Sequence, residues 1–184
     1  MCTGDRECPT FLRQMLRHTS TRRNSQSNHA RGSALEDLVT YVFEQVPGIA
    51  VTIRNTLNPQ HSEEVDIAFF NDQHPQGFFF LPFSFIVECK NWTSPVGSSD
   101  VNWFDIKVPH RGLSFGVLVA VNGITGDPTD RRAAHDIIGK AAGEHRQLVV
   151  VKLQEIEQLQ DGSEFVLLMK RKLTELAAAS TLLL

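Results

Sequence analysis

Hydrophobic side chains recur along the chain with two periods, and these periods predict its secondary structure. From residue 33 the apolar positions follow one helical face until Pro47-Gly48 ends the helix. Apolar and polar residues then alternate over residues 49–54, 65–70 and 83–90, which is typical of strands. On the third strand Glu88 and Lys90 share one face. The first half of the chain therefore reads as a helix followed by three strands.

The second half of the chain alternates between helical and strand patterns. Residues 100–108 predict a helix with Val101, Phe104 and Val108 turned inward, and residues 116–121 are apolar throughout, like a strand covered on both faces. A helix over about 130–142, a strand over 148–153 and a closing amphipathic helix from Phe165 to Leu176 follow. The order α-β-β-β-α-β-α-β-α predicts an α/β fold with a mixed sheet.

The 184 residues are enough for one domain with tails. Residues 9–18 could form a short helix, and residues 19–32, rich in Ser, Thr, Arg and Asn, read as a flexible linker. We therefore divide the chain into a basic N-terminal arm or linker (1–31), one folded domain (32–176) and an apolar C-terminal tail (177–184). Ser33 and Glu36 fit a capping box at the start of the first long helix.

Charge is unevenly distributed along the chain. The net charge is −3, but residues 1–31 hold six arginines against two acidic residues, a balance of +4 that leaves −7 for the remainder. An acidic body suits a carboxylate-lined metal site and argues mildly against a compact nucleic-acid binder. No apolar run reaches the roughly 18 residues of a membrane span, so we expect a soluble, cytoplasmic protein without a membrane partner. The three cysteines are too few for a disulfide scaffold.

Charged side chains end the third strand, where apolar residues would be expected. If the second and third strands pair as a hairpin, Asp66, Glu88 and Lys90 lie together on one face of the sheet. Two carboxylates suit Mg²⁺, and a lysine beside a metal-bound water can orient that water. The alternative is an exposed Glu88–Lys90 ion pair worth less than about 1 kcal/mol.

In this context the chain resembles a known family. Asp66, the stretch ECKNW at residues 88–92, the helix entry SPVGSSDVNWF and the strand GVLVAVNGITG are similar to the PD-(D/E)xK nuclease superfamily, nearest to its Mrr-like restriction-endonuclease branch. The resemblance implies a restriction-endonuclease-like αβββαβ core, with a central mixed sheet flanked by helices. It also implies an enzyme, a Mg²⁺-dependent (or Mn²⁺-dependent) phosphodiesterase whose partner is DNA.

The resemblance also implies roles for individual residues. Asp66, Glu88 and the backbone carbonyl of Cys89 would bind the metal, and Lys90 would position the attacking water. Glu36 matches an acidic residue that supports the metal site in many members, although it could equally be only the capping partner of Ser33. Many members have a proline where this chain has Val65.

Several other residues are candidates for DNA contacts or for packing. DNA affinity would come from the basic arm together with Arg54, Lys107, Arg111, Arg131 and Arg132. For Lys107 the alternative is a solvated helix face. Trp92 and Trp103 read as packing residues.

We therefore expect a metal-dependent DNA endonuclease of restriction or DNA-processing type, and the resemblance also implies a homodimer. Within that class, an enzyme that recognises branched DNA by shape is an alternative. Outside that class, the alternative is a catalytically silent nuclease fold that binds DNA or protein partners. Crowded carboxylates should have raised pKa values without metal, and divalent metal should raise the melting temperature.

Overall fold

The computed structural model describes residues 10–24, 27–57, 64–125 and 134–181. Its helices and strands follow the predicted order; the short helix expected over residues 9–18 is confirmed but runs on to Asn24, and one short helix is added before the last. In chain order the elements are α1 (Thr10–Asn24), α2 (Asn28–Glu44), β1 (Ile49–Leu57), β2 (Glu64–Asn71), β3 (Ser84–Lys90), α3 (Ser98–His110), β4 (Phe115–Ala120), α4 (Ala134–Gly143), β5 (Gln147–Lys152), α5 (Leu153–Glu157) and α6 (Gly162–Thr181).

The five strands form one mixed sheet in the order β1-β2-β3-β4-β5. The pairs β1–β2 and β2–β3 are antiparallel, while β3–β4 and β4–β5 are parallel and are connected through α3 and α4. Parallel neighbours need such crossover connections, and helical crossovers cover the sheet. The predicted α/β fold, with a mixed sheet flanked by helices, is confirmed.

Two hydrophobic cores cover the two faces of the sheet. On one face α2 and α6 pack against the strands, and the ring of Phe43 lies 4.7 Å from that of Phe69 and 4.8 Å from that of Phe165. On the other face α3 and α4 bury Phe104, Val108 and their neighbours. The inward positions predicted for the helix after the third strand are thus confirmed. Stacked and edge-to-face rings at these distances add to the stabilisation from burial.

Helix α3 packs very closely on strand β4. A Cβ atom placed on Gly116 would lie 2.8 Å from Phe104 Cζ and from Val108 Cγ2. A glycine in a strand often marks such a close approach. The absence of a side chain at residue 116 therefore sets the depth at which α3 lies on the sheet.

The prediction of a flexible linker over residues 19–32 is wrong for the residues described. Residues 19–24 belong to α1, and 28–32 belong to α2. Helix α1 turns Met15, which is 4% exposed, and Thr19 towards α2, and the ring of His18 stacks on Tyr41 with centroids 5.3 Å apart. Tertiary packing thus stabilises a segment whose composition favours a coil.

The predicted capping box is also wrong, because the helix begins earlier than Ser33. Ser27 is the N-cap of α2, and its hydroxyl accepts a hydrogen bond from the backbone N–H of Ala30 at 3.1 Å. Ser33 therefore lies within the helix, and Glu36 is left for other contacts.

The remaining boundaries differ from the predictions in smaller ways. The start of the predicted 130–142 helix, with Arg131 and Arg132, lies outside the described residues, as do residues 1–9 of the arm. Helix α2 runs through residue 31 and α6 through residue 176, and the domain limits placed there stay a prediction. Within the described ranges, no helix combines the length and apolarity needed to cross a bilayer.

Candidate active site

The predicted acidic site lies where β2 begins and β3 ends. The described ladder between the two strands runs from Phe70–Ser84 to Ile67–Val87, and Asp66 and Glu88 are the next residues along each strand. Beyond the last pair, Asp66 Oδ2 accepts a hydrogen bond from the backbone N–H of Cys89 at 2.7 Å. The Asp66 side chain thus continues the connection between β2 and β3. The same hydrogen bond fixes the Asp66 carboxylate beside Glu88.

Glu88 lies between two lysine ammonium groups. Its Oε1 is 2.9 Å from Lys90 Nζ, and its Oε2 is 2.6 Å from Lys107 Nζ. Lys107 Nζ also donates to the carbonyl oxygen of Glu64 at 2.8 Å, at the start of β2. Glu88 is 6% exposed and Lys107 4% exposed, so this is a buried, hydrogen-bonded ion pair. The pair holds α3 to the end of β3.

The alternative of a solvated helix face for Lys107 is wrong. The residue follows the inward Phe104 by one helical turn and immediately precedes the inward Val108, so it borders the apolar stripe of α3. This adjacency is the signal by which sequence reasoning could have placed Lys107 inside. In its buried position the ammonium is engaged with Glu88 and Glu64, not presented to solvent.

Burial and neighbouring charges change the pKa values of Asp66 and Lys90, and both values are raised. Burial, together with the Glu88 carboxylate, raises the pKa of Asp66 to about 6, against opposing effects of the Cys89 N–H and the two lysines. Burial, the largest single influence, would lower the pKa of Lys90, but the carboxylates of Glu88, Asp66 and Asp100 together outweigh burial, so the pKa of Lys90 is raised. The raised value expected for a crowded carboxylate is confirmed at Asp66. Lys90 remains a cation at neutral pH.

Glu36 lies at the edge of this region, against strand β1. Its Oε2 accepts a hydrogen bond from Asn55 Nδ2 at 2.9 Å and lies 3.7 Å from the guanidinium of Arg54. Arg54 also pairs with Asp37 at 2.8 Å. The β1–β2 register places Asn55 opposite Asp66, between the pairs Arg54–Ile67 and Thr56–Val65. Glu36 thus contacts the strand that neighbours Asp66.

The carboxylates of the cluster suit a hard divalent cation, although they are few. Within the ranges that the structure describes, no group of three or more His, Cys, Asp or Glu side chains is placed to hold a metal ion. Mg²⁺ does not need such a cage, because it often takes one or two carboxylates and keeps several waters. The raised pKa of Asp66 also shows that the two lysines leave its negative charge incompletely compensated. Asp66 and Glu88 therefore fit Mg²⁺ as oxygen donors.

The segment after β3 forms the rim of the site. Asn91 Oδ1 accepts a hydrogen bond from Arg22 of α1 at 3.2 Å, and Lys90 Nζ lies 5.3 Å from the ring centroid of Trp92. Trp92 is 39% exposed, and Trp103 of α3 is 49% exposed. The expectation that both tryptophans are packing residues is therefore wrong. Arg111, the other predicted DNA contact on α3, is the half-buried C-cap residue of that helix.

A family comparison agrees with this arrangement. The family model Mrr_cat, described as restriction endonuclease, matches residues 28–161, from the first residue of α2 to the turn before α6. The chain belongs to the Mrr_cat family. The resemblance predicted from the sequence is thereby confirmed, and an Mrr_cat member is a restriction-endonuclease-like nuclease. Helix α1 lies outside the matched residues, and comparison with the curated proteins gives no match.

Proposed function

We propose that this protein is a metal-dependent DNA endonuclease, of restriction or DNA-processing type, that hydrolyses phosphodiester bonds. The observation that carries the proposal is the convergence of Asp66, Glu88 and Lys90 at the adjoining ends of β2 and β3. Asp66, Glu88 and the carbonyl of Cys89 would hold Mg²⁺ or Mn²⁺. The bound metal would lower the pKa of a water and stabilise charge on the phosphate.

Lys90 is proposed to orient the attacking water. Its raised pKa favours the ammonium form, so Lys90 would act as a hydrogen-bond donor rather than as the base. Lys107 is proposed to hold Glu88 in place, since its ammonium is already bound by Glu88 and by the carbonyl of Glu64. This role replaces the DNA contact expected from the sequence.

Glu36, Arg54 and Arg111 would support the site from its surroundings. Glu36 would act through Asn55, which lies opposite Asp66, as a positioning residue for the metal ligand. Arg54 and Arg111 would contact DNA phosphates. For Arg54 the phosphate would have to compete with Asp37 and Glu36. A homodimer would allow two such sites to cut both strands of a duplex.

Cleavage of supercoiled, linear, single-stranded and branched DNA with Mg²⁺ or Mn²⁺ tests the proposal. We expect cleavage to require metal and to disappear in Asp66→Asn and in Lys90→Ala. Asp72→Asn is the matched control, because Asp72 directly follows the other end of β2 and is exposed. Unchanged cleavage in Asp66→Asn would overturn the proposal.

The silent-scaffold alternative is favoured by one observation, namely that both oxygens of Glu88 are bound by ammonium groups. Mn²⁺ binding, measured by electron paramagnetic resonance, separates the two functions without relying on cleavage. An active site should bind Mn²⁺ in the wild type and lose it in Asp66→Asn, and binding should raise the melting temperature. Absence of both metal binding and cleavage would support the scaffold.

A further inference from the structure

Both tryptophans of the chain have exposed rings, and Trp92 lies at the rim of the acidic cluster. The sequence contains only two, Trp92 and Trp103, which are 39% and 49% exposed. A single exposed apolar side chain is ordinary, but an exposed aromatic ring that contacts a charged residue of a candidate site is typical of a binding surface. The exposed rings therefore indicate a binding surface.

Trp92 is the closer of the two to the charged groups. Its ring centroid lies 5.3 Å from Lys90 Nζ, which itself is 2.9 Å from Glu88 Oε1. The ammonium and the ring form a cation–π contact. A ligand that reaches Lys90 with a phosphate would bring its neighbouring groups against the Trp92 ring.

The backbone around Trp92 is anchored on both sides. The carbonyl of Trp92 accepts a hydrogen bond from Asn122 Nδ2 at 2.6 Å, and Lys90 O accepts one from the N–H of Val121 at 3.0 Å. Further along, the N–H of Val96 donates to Gly123 O at 2.8 Å. Because the strand and its rim are held in this way, the exposed ring is presented from a fixed backbone. Such preorganisation reduces the entropy cost of binding.

Trp103 lies on the flank of α3 that borders the cluster. It follows Asp100 by three residues and precedes Lys107 by four, so the three residues form one helical stripe. Lys107 binds Glu88, and the Asp100 carboxylate contributes to the raised pKa of Lys90. Trp103 is thus placed between two residues that both act on the β3 end of the site.

We propose that Trp92 stacks on an unpaired nucleobase of the DNA substrate. The protein would then prefer DNA whose bases are free of the helical stack, such as a single strand, a flap or a junction, over continuous duplex. Every base has a π-face that an aromatic ring can cover, and this face is inaccessible inside a duplex. The inference rests on the proposed nuclease function and specifies its substrate class.

Tryptophan fluorescence tests the stacking directly. In Trp103→Phe the only tryptophan is Trp92, and this variant is titrated with oligonucleotides in Ca²⁺ to avoid cleavage. We expect quenching by a single-stranded oligonucleotide, little quenching by the matching duplex, and binding without quenching by an abasic strand of equal length. Equal quenching by duplex and single strand would overturn the inference.

Substitution at Trp92 provides the second test. We expect Trp92→Ala to weaken single-strand binding and raise KM about tenfold or more, to leave duplex binding nearly unchanged, and to be largely rescued by Trp92→Phe. Phe83→Ala is the control, because Phe83 is 60% exposed and directly precedes the opposite end of β3.

The outcomes separate this inference from the proposed function. Metal-dependent cleavage with a substrate preference that Trp92→Ala does not alter would overturn the stacking role and leave the nuclease standing. Failure of the wild type to bind or cleave any DNA would overturn both. Binding of a protein partner that Trp92→Ala abolishes, without an effect on DNA, would assign the tryptophans to that partner instead.

Discussion

At the scale of single residues, Asp66 carries a negative charge that the metal-free fold disfavours. Burial and the Glu88 carboxylate raise its pKa from the usual 3.8 to about 6. The folded state therefore binds a proton more tightly than the unfolded chain. The stability contributed by this proton is present below about pH 4 and is lost as the pH rises through about 6.

Asp66→Asn is therefore expected to stabilise the metal-free protein while it removes the metal site. At about pH 7.5 the gain should be about 1–3 kcal/mol, and it should shrink towards pH 4, where Asp66 itself is protonated. The asparagine oxygen can still accept from the Cys89 N–H. Urea unfolding in EDTA at both pH values measures the difference, with Asp72→Asn as control. Equal stabilisation at the two pH values would contradict this explanation.

Lys107 is expected to oppose metal binding at Glu88, because its ammonium already contacts Oε2. Lys107→Met removes that positive charge with little change in length. We expect tighter Mn²⁺ binding, by severalfold, and a loss of about 3 kcal/mol of metal-free stability, since a buried ion pair is broken. Electron paramagnetic resonance and urea unfolding provide the two measurements.

The control for this experiment is Lys140→Met on the exposed side of α4, which should alter neither quantity. Unchanged or weaker Mn²⁺ binding in Lys107→Met would show that the ammonium does not compete with the metal.

At the scale of elements, the position of α3 depends on Gly116 of β4. Gly116→Ala would place a methyl group 2.8 Å from Phe104 Cζ and Val108 Cγ2, so α3 must shift outward. We expect a loss of about 1–3 kcal/mol in stability, as for other overpacked cores. The outward shift of α3 should also loosen the contact of Lys107 with Glu88. Thermal unfolding would detect the loss of stability, and Mn²⁺ binding would detect the change at Glu88.

Gly32→Ala is the matched control for that substitution. Gly32 lies in α2, and no atom lies within 4 Å of an added Cβ. Here the alanine should stabilise the helix by about 0.5–1 kcal/mol. A similar change in stability for Gly116→Ala and Gly32→Ala would mean that the close packing of α3 on β4 does not exclude a side chain at residue 116.

Strand β2 could be predicted from sequence because it keeps one face buried, and strand β4 because both of its faces are buried and apolar. Val65, Ile67 and Phe69 alternate with less buried residues, and this pattern survives folding. The segment around Thr19 could not be predicted in the same way. Its helix depends on contacts with α2, such as the His18–Tyr41 stack, and local composition contains no trace of them.

The candidate site was predictable only where its residues are neighbours along strands. The alternation that places Glu88 and Lys90 on one face is a property of any strand, and a hairpin brings Asp66 to them. Lys107 comes from a separate helix, and a lysine on an amphipathic helix is normally solvated. Its neighbours Phe104 and Val108 place it beside the apolar stripe of α3, but its ion pair with Glu88 depends on the crossover that places α3 over the end of β3.

At the scale of the whole molecule, helix α1 carries a net positive charge, whereas the rest of the chain has a net negative charge. Helix α1 has four arginines and no acidic residue, and Arg22 joins it to Asn91 at the rim of the candidate site. Arg13 and Arg17 are exposed on this helix. A basic helix at the rim of an acidic body can hold DNA phosphates near the carboxylates.

The double variant Arg13→Ala/Arg17→Ala should therefore weaken DNA binding and flatten its salt dependence. If each arginine neutralises one phosphate, the slope of log K against log salt should fall in magnitude by about 1.5–2. Fluorescence anisotropy at several salt concentrations measures this slope. Arg171→Ala on α6, where Arg171 already lies near Glu155 and Glu175, should leave it unchanged. An unaltered slope in the double variant would exclude this face of α1 from DNA binding.

The contact of Phe43 with Phe165 has a consequence for biosynthesis. The rings of Phe43 and Phe165 are 122 residues apart in the sequence, whereas the proposed metal ligands Asp66 and Glu88 and the two lysines that contact Glu88 all precede α6. A ribosome that makes the protein from its N-terminus therefore releases every member of the site before it has added α6. Until α6 has been synthesised, Phe43 lacks its contact with Phe165, so the nascent chain holds the site residues without the complete core. Synthesis of α6 is thus the step that allows the residues of the site to become ordered.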